Sequence, residues 1–369
     1  MAETAAVRAL ESRLALMHGR RHCRLTGTGS CGLFLALSGL EDGRRRVVFP
    51  ATICLAPVYA AIYAGLDPVF ADVRMEDGAI DPASVSQLLE NDSSIGAVVA
   101  AHMYGNPASL DELAVCCARF GARLIEDAAP AVGGRDGQGR LFGAGGDLAL
   151  LSFGHTKILD CGGGGAVLTD DDDWIGRMDR IATGLPGRIE GYDVLAGQYY
   201  RLYYAIWAEA RRDRAFFSLY EPFPRLFRSL HQYNARTVDV PAIETGLDGL
   251  DAECVRRHEL AARYRERLGV SEDIAFLGAP GVGVPWRCTF LVPAGRRNAL
   301  LDAVRAGGYD ASSWYPPAYW FLSGVGYPRP RAEELAARVV NLWVTSQYRD
   351  RIDPLCDLVL NVLREGDRA

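Results

Sequence analysis

Lys157 stands in the stretch Ser152-Phe153-Gly154-His155-Thr156-Lys157-Ile158, shortly before the glycines 162 to 165, in a chain whose basic residues are nearly all arginine. An amine held in a confined, weakly polar segment falls below the ~10.4 of a free lysine, so that it can form an imine with an aldehyde and later act as a base. A lysine on a surface loop accounts for the local sequence equally well. Asp127, in Ile125-Glu126-Asp127-Ala128-Ala129, sits at the carboxyl end of an apolar run, where open α/β sheets bind their ligands. A carboxylate there can keep a pyridine nitrogen protonated and make the ring an electron sink; capping of the next loop is the alternative. In Thr26-Gly27-Thr28-Gly29-Ser30-Cys31-Gly32, Gly29 and Ser30 can offer backbone amides, and Ser30 its hydroxyl, to a phosphate at a helix start. Ser152 adds a hydroxyl from a neighbouring strand end. Each signal is weak alone.

These residues need a scaffold, and the sequence supplies one. Residues 3 to 19 alternate Ala and Leu with Glu and Arg at helical spacing. After the small-residue loop and the buried helix Leu33-Phe34-Leu35-Ala36-Leu37, strands and helices alternate. RRRVVFP, DPVFADV, SIGAVVAAHMYG and ARLIEDAAPAVGG read as strands, and ICLAPVYAAIYAG, PASVSQLLEN and LDELAVCCARFG as helices. Short apolar strands alternating with helices imply a parallel sheet covered on both faces. GGDLALLSFG and GGGGAVLTDD are two further strands that bracket Lys157. The Tyr-, Phe- and Arg-rich segment 185–233 breaks the pattern and reads as a pair of amphipathic helices with snorkelling arginines, or as a specificity or dimer-contact insert. Residues 246 to 268 read as one long helix, followed by a strand at RCTFLVP, a helix at RRNALLDAVRAGG and a last helix after Asp353-Pro354.

The 369 residues suit one large and one smaller domain, with a cleft between them. A hydrophobic fraction of 49% and a charged fraction of 23% are those of an ordinary globule. The formal charge of −6 gives no field for nucleic acid. Nine cysteines form no CxxC pair and have no His at zinc spacing, so no metal is expected and the thiols read as reduced. The charged N-terminus does not suit a signal peptide, and no apolar run of roughly 18 residues could span a membrane. The cytoplasm is the expected compartment.

Taken together, TGTGSCGLFLAL, PATICLAPVYAAIYAGLDPVFADV, IEDAAPAVGG and SFGHTKILDCGGGGAVLTDD resemble consecutive blocks of the DegT/StrS-type sugar aminotransferases, over roughly 25 to 175. GLDGLDAECVRRHELAARYRERL resembles that family's helix into its small domain. The resemblance implies an α/β, fold-type-I architecture. Its large pyridoxal-phosphate domain, 1–245, would have a mostly parallel seven-stranded sheet covered by helices and carry the insert 185–233, and a smaller α/β domain would follow at 246–369. It implies pyridoxal 5'-phosphate as cofactor, with Lys157 as Schiff-base lysine, Asp127 on the pyridine nitrogen, and Gly29, Ser30 and Ser152 on the phosphate. Tyr233-Asn234 matches a pair whose Asn reaches the phosphate of the neighbouring subunit, which implies a homodimer with shared sites. The implied reaction moves an amino group from an amino acid, Glu or Gln, to a keto sugar, typically nucleotide-linked.

Three positions depart from the pattern. Cys54 stands where an aromatic stacks on the cofactor ring, Pro130 where a Gln or His bonds the ring oxygen, and Gly163 where an acid is usual. Tyr104, His155 or His102 could substitute, or pack elsewhere. The departures leave room for elimination or bond remodelling at the imine instead of transamination, and for a non-catalytic member of the fold. Lys157 argues against the dehydratase relatives, which have His there. The insert and Ser312-Ser313-Trp314-Tyr315-Pro316-Pro317 are expected to line the outer pocket.

Overall fold

The computed structural model describes residues 2–40, 43–235, 238–322 and 328–365. Helix α1 (Ala2–Met17) buries Leu10 and Leu14, one turn apart, and leads into an edge strand, β1 (His22–Thr26). β1 leaves no signal in the sequence, because five residues ahead of a glycine-rich loop carry little periodicity. The Thr28 side chain accepts the Cys31 N–H and caps α2 (Gly29–Ser38), a helix buried almost all round. From there β2 (Arg46–Pro50), α3 (Leu55–Tyr63), β3 (Asp67–Ala71), α4 (Pro82–Asn91), β4 (Ile95–Ala101), α5 (Leu110–Phe120) and β5 (Arg123–Asp127) alternate as the sequence predicts. β6 (Leu148–Ser152) and β7 (Gly165–Thr169) complete a seven-stranded sheet in the order β1-β7-β6-β5-β4-β2-β3. Only β7 runs against its neighbours.

The period of two in a strand explains why the sheet needs cover on both sides. Val47 and Phe49 of β2 enter one core and Val48 the other; Val99 and Val98 of β4 divide the same way. Among the described residues all nine cysteines are free, and burial pushes thiols such as Cys31 up to about 11.

After α6 (Asp172–Thr183), the segment 185–233 is not the expected helix pair. It forms one long helix, α7 (Tyr192–Ala210), a 3₁₀ stretch at Arg214–Tyr220, and the single turns α8 (Phe223–Leu226) and α9 (Arg228–His231). Pro222 and Pro224 break the second half. Its rings pack on one another, with Tyr203 and Tyr220 at 5.0 Å and Trp207 stacked on Trp314 at 4.4 Å.

The single helix expected over 246–268 is also two. α10 (Val240–Asp248) starts on the Asp239 side chain, and α11 (Leu250–Leu268) follows the break at Gly249, whose N–H returns to carbonyls of the preceding turn. Beyond it lie β8 (Ala275–Phe276), β9 (Cys288–Leu291), α12 (Ala294–Ala306), β10 (Ala311–Ser312), α13 (Pro330–Arg338), β11 (Val339–Leu342) and α14 (Ile352–Glu365). The four strands form a second, antiparallel sheet in the order β10-β11-β9-β8, with a core that includes Tyr264, Phe290, Leu300, Val340 and Val359. β8 and β10, at two residues each, are too short to leave a pattern in the sequence.

Candidate active site

The carboxyl ends of β5 and β6 and the N-terminus of α2 converge at one place. Asp127 ends β5, Ser152 ends β6, and Gly29 opens α2. A Cβ on Gly29 would stand 3.0 Å from the Ser152 hydroxyl oxygen, and one on Gly165 would stand 2.6 Å from the Gly29 nitrogen. Both glycines are required by close approach, and the result is a cradle of helix-start amides and a hydroxyl suited to a phosphate. Gly164 N–H donates to the Gly27 carbonyl at 2.9 Å, which ties the cradle to the strand that follows the lysine loop.

Lys157 is the only lysine in the chain, the other 39 of its 40 Lys and Arg residues being arginine. It is half-buried and lines a cleft of about 600 Å³, together with Arg257, Arg287, Trp343 and Thr345 from the C-terminal half. Thr156, directly before it, has φ +67°, a left-handed conformation that a β-branched residue adopts only under constraint. The constraint is visible: Thr156 N–H donates to Asp160 Oδ2 at 3.1 Å, and the Trp286 indole N–H donates to the Thr156 carbonyl at 2.8 Å.

Asp127 is 2% exposed. Burial raises its pKa above the ordinary carboxylate value, and the field of Lys157 offsets part of that rise. Its Oδ1 accepts the Ala129 N–H at 3.0 Å. A buried carboxyl that gains from a nearby cation is suited to a cationic ring nitrogen.

Glu126 and His102 form a second buried pair that the sequence reading did not assemble. The Ala108 N–H donates to His102 Nδ1 at 3.1 Å, which leaves the proton on Nε2, and Nε2–H donates to Glu126 Oε1 at 2.8 Å. Gly143 and Gly145 N–H groups also donate to Glu126, each at 2.6 Å. Burial would raise the Glu126 pKa, but the hydrogen bond and field of His102 and the two amides hold it below the ordinary value. His102 stacks on Phe142 at 3.7 Å, so its ring is committed to this side of the sheet.

At the three departures, Cys54 is half-buried at the start of α3 and is an electrostatic neighbour of Tyr199, Tyr203 and Tyr315. Aromatic surface near position 54 therefore comes from α7 and from Tyr315. Tyr315 also has Asp127, Tyr104 and Arg287 as electrostatic neighbours, stacks on Trp286, and donates its N–H to the Tyr104 hydroxyl at 3.1 Å. Pro130 follows Asp127 in a half-buried turn. At Gly163 an added Cβ would meet only the Tyr233 hydroxyl, 4.0 Å away. His155 is exposed and faces Asp160 at 3.5 Å.

Tyr233 and Asn234 lie against their own chain's loop. The His231 carbonyl accepts the Thr28 hydroxyl at 2.9 Å, the Tyr233 ring covers Gly27, and the Tyr233 carbonyl accepts from the Cys31 thiol. Asn234 donates its backbone N–H to the Pro186 carbonyl at 2.9 Å. Among the described residues there is no group of three or more side chains able to hold a metal, and no helix long and apolar enough to cross a membrane.

Known proteins resemble this chain in sequence and in fold. The chain is 29% identical over 96% of its length, and 88% of the relative's, to dTDP-3-amino-3,4,6-trideoxy-alpha-D-glucose transaminase of Micromonospora megalomicea subsp. nigra. It is 28% identical, over 93% of its length and 84% of the relative's, to a UDP-N-acetyl-3-dehydro-alpha-D-glucosamine 3-aminotransferase of Acidithiobacillus ferrooxidans. The crystal structure of 3-amino-5-hydroxybenzoic acid synthase superposes with a TM-score of 0.76 at 20% identity, covering 98% of this chain and 91% of that one. That of DesI in the presence of its TDP-sugar product gives 0.76 at 25% identity, with 99% and 88% covered. The expected fold-type-I architecture is thus the one the chain adopts. Residues 2–201 match the sequence profile of the DegT/DnrJ/EryC1/StrS aminotransferases, and the chain belongs to that aminotransferase family.

Proposed function

We propose that the protein is a pyridoxal 5'-phosphate-dependent aminotransferase that moves an amino group from Glu or Gln to a keto group of a nucleotide-linked sugar. The observation that carries this reading is the sole lysine at a cleft, with the buried Asp127 in its field and the Gly29–Ser152 cradle beside the same strand ends. The residues fit the cofactor. Gly29, Ser30 and Ser152 would hold the phosphate, Asp127 the ring nitrogen and Lys157 the aldehyde carbon; Cys54 and Pro130 would border the ring with sulfur and hydrocarbon only. When bound, pyridoxal phosphate supplies the electron sink for breaking the donor's Cα–H bond. Lys157 Nζ would take that proton and return it during transfer, and Asp127 would keep its own carboxylate charged opposite the ring nitrogen. Names of relatives that act on nucleotide-linked sugars support the acceptor class.

In this reading residues 1–245 are the cofactor domain and 246–369 the small domain, supported by the separate core around the second sheet. A cytoplasmic homodimer with shared active sites is part of the proposal; for the dimer, exposed Val194, Tyr200, Leu202 and Tyr204 on α7 are the support, with Tyr204 54% exposed. Asn234 would reach the phosphate of the neighbouring subunit, so that each site would be completed by both chains. Light scattering tests the dimer.

The lone lysine makes the central test simple. Protein loaded with pyridoxal phosphate and reduced with borohydride should carry one lysine adduct, at Lys157, and Lys157→Ala should show neither adduct nor colour. L-glutamine or L-glutamate should bleach the wild-type colour, and a nucleotide-linked ketosugar should restore it. Colour that no amino donor bleaches would overturn the transamination reading.

A further inference from the structure

Cys54 opens α3 without capping it, and the tyrosines Tyr59, Tyr199, Tyr200, Tyr203, Tyr204 and Tyr315 all have it as an electrostatic neighbour. The first five belong to α3 and α7. Tyr315 comes from the C-terminal half, and Cys54 is the strongest of its electrostatic neighbours, followed by Tyr104, Arg287 and Asp127. It is therefore the phenol that lies within reach of both position 54 and the buried carboxyl. Tyr199 and Tyr203 are committed elsewhere, Tyr199 edge-on to Phe223, Phe227 and His231, and Tyr203 edge-on to Tyr220 and Phe223.

The fold fixes Tyr315 in that place. Its N–H donates to the Tyr104 hydroxyl at 3.1 Å, just beyond β4. The Trp314 carbonyl accepts from Asn341 Nδ2 of β11 at 2.9 Å. Three residues after Tyr315, the Ala318 N–H donates to the Ala51 carbonyl at 2.7 Å, in the turn that leads from β2 to Cys54. The half-buried phenol ring lies 5.7 Å from the Trp286 ring and 26° from parallel to it, and the Trp286 indole is bonded to the carbonyl directly before Lys157. Protein interiors are close-packed, so a large side chain at one position goes with a small one at the position it meets. A thiol at 54 leaves room for the phenol of Tyr315; an aromatic at 54 would claim the same space.

We propose that Tyr315 supplies the aromatic contact to the cofactor's pyridine ring that position 54 lacks, so that the ring is covered from the C-terminal half of the chain instead of from α3. The inference rests on the pyridoxal-phosphate reading above.

The test is a fluorescence titration of the cofactor-free protein with pyridoxamine 5'-phosphate, which forms no imine with lysine and so reads ring and phosphate contacts alone. Inorganic phosphate, as a competitor, reads the cradle alone. Tyr315→Leu should weaken pyridoxamine 5'-phosphate by ~3- to 10-fold, the effect of losing one ring contact, and change phosphate by less than ~2-fold. Tyr315→Phe should stay within ~2-fold of wild type for both. Cys54→Phe alone puts a second ring into one space and should weaken pyridoxamine 5'-phosphate, whereas Cys54→Phe combined with Tyr315→Leu should recover part of the loss. The proposal is overturned if Tyr315→Leu binds as the wild type does, if it loses phosphate equally, which marks a merely structural role, or if Tyr315→Phe is as weak as Tyr315→Leu, which assigns the effect to the hydroxyl. Tighter binding by Cys54→Phe alone also overturns it, even where Tyr315→Leu does not fold. A wild type that binds no pyridoxamine 5'-phosphate refutes the cofactor reading itself; normal binding indifferent to position 315 refutes only the role of Tyr315.

Discussion

His102 Nε2 and Glu126 Oε1 lie 2.8 Å apart at the ends of β4 and β5, with each side chain only 1% exposed. Because Glu126 also accepts from Gly143 and Gly145, it fastens two strand ends and the 143–145 turn beneath Asp127. Glu126→Ala would leave three buried donors unpaired at about 1–3 kcal/mol each. Urea denaturation should show a loss of at least ~3 kcal/mol; a loss below ~1 kcal/mol would mean that water replaces the carboxylate.

Gly165→Ala should spare the fold and injure the cradle. The new methyl would press on the Gly29 nitrogen, displacing the start of α2. An overpacking strain of ~1–3 kcal/mol predicts cofactor binding weakened by roughly 10- to 100-fold, with an unchanged far-ultraviolet spectrum. Wild-type affinity in a fluorescence titration would remove the phosphate from this end of α2.

Asp127→Asn should lower kcat at least ~100-fold while the protein still takes up cofactor, because a neutral amide cannot hold the ring nitrogen's charge. Asp127 also sets a pH dependence in the cofactor-free protein. Its folded pKa is raised, so the native state binds more protons than the unfolded one, and stability falls as pH climbs from ~3.9 through the raised value. Thermal melts of Asp127→Asn should lack that decline; an identical pH profile counts against the assignment.

Thr156→Asn should raise stability by ~1 kcal/mol, since Asn tolerates the left-handed backbone that Thr is forced into. A loss of stability on denaturation would show that the Thr methyl packs better than its backbone strain costs.

His231 gives the opposite pH slope. Burial among Tyr59, Tyr63 and Tyr199 lowers its pKa to about 4. The unfolded chain protonates first on acidification, so stability is full above ~6.5 and falls by up to about 3 kcal/mol toward pH 4. His231→Phe should flatten this interval in denaturant titrations between pH 4 and 7.

What could be read ahead of the structure follows from sequence distance. Lys157, Asp127, Gly29, Ser30 and Ser152 lie on or beside contiguous β and α segments, so periodicity places them at strand ends and a helix start. Glu126 was overlooked because it adjoins Asp127, and neighbours on a strand point to opposite faces: Asp127 faces the lysine, while Glu126 serves His102 and the 143–145 turn. Trp286 and Arg287 lie more than a hundred residues beyond Lys157 on short elements without a repeat, so only packing could bring them to it, whereas Tyr315 falls in the stretch 312–317 that the sequence already assigns to the outer pocket. The breaks at Gly249 and at Pro222 and Pro224 show the other limit, because helical periodicity continues through residues whose backbones stop the helix.

The hydrogen bond from Trp286 to the Thr156 carbonyl gives the molecule an optical gauge of its own. The chain has six tryptophans, and this indole is bonded to the residue directly before the lysine. Loading the lysine should quench its emission by energy transfer, and any shift of the Thr156 turn should alter its wavelength, so events at position 157 can be followed without a label.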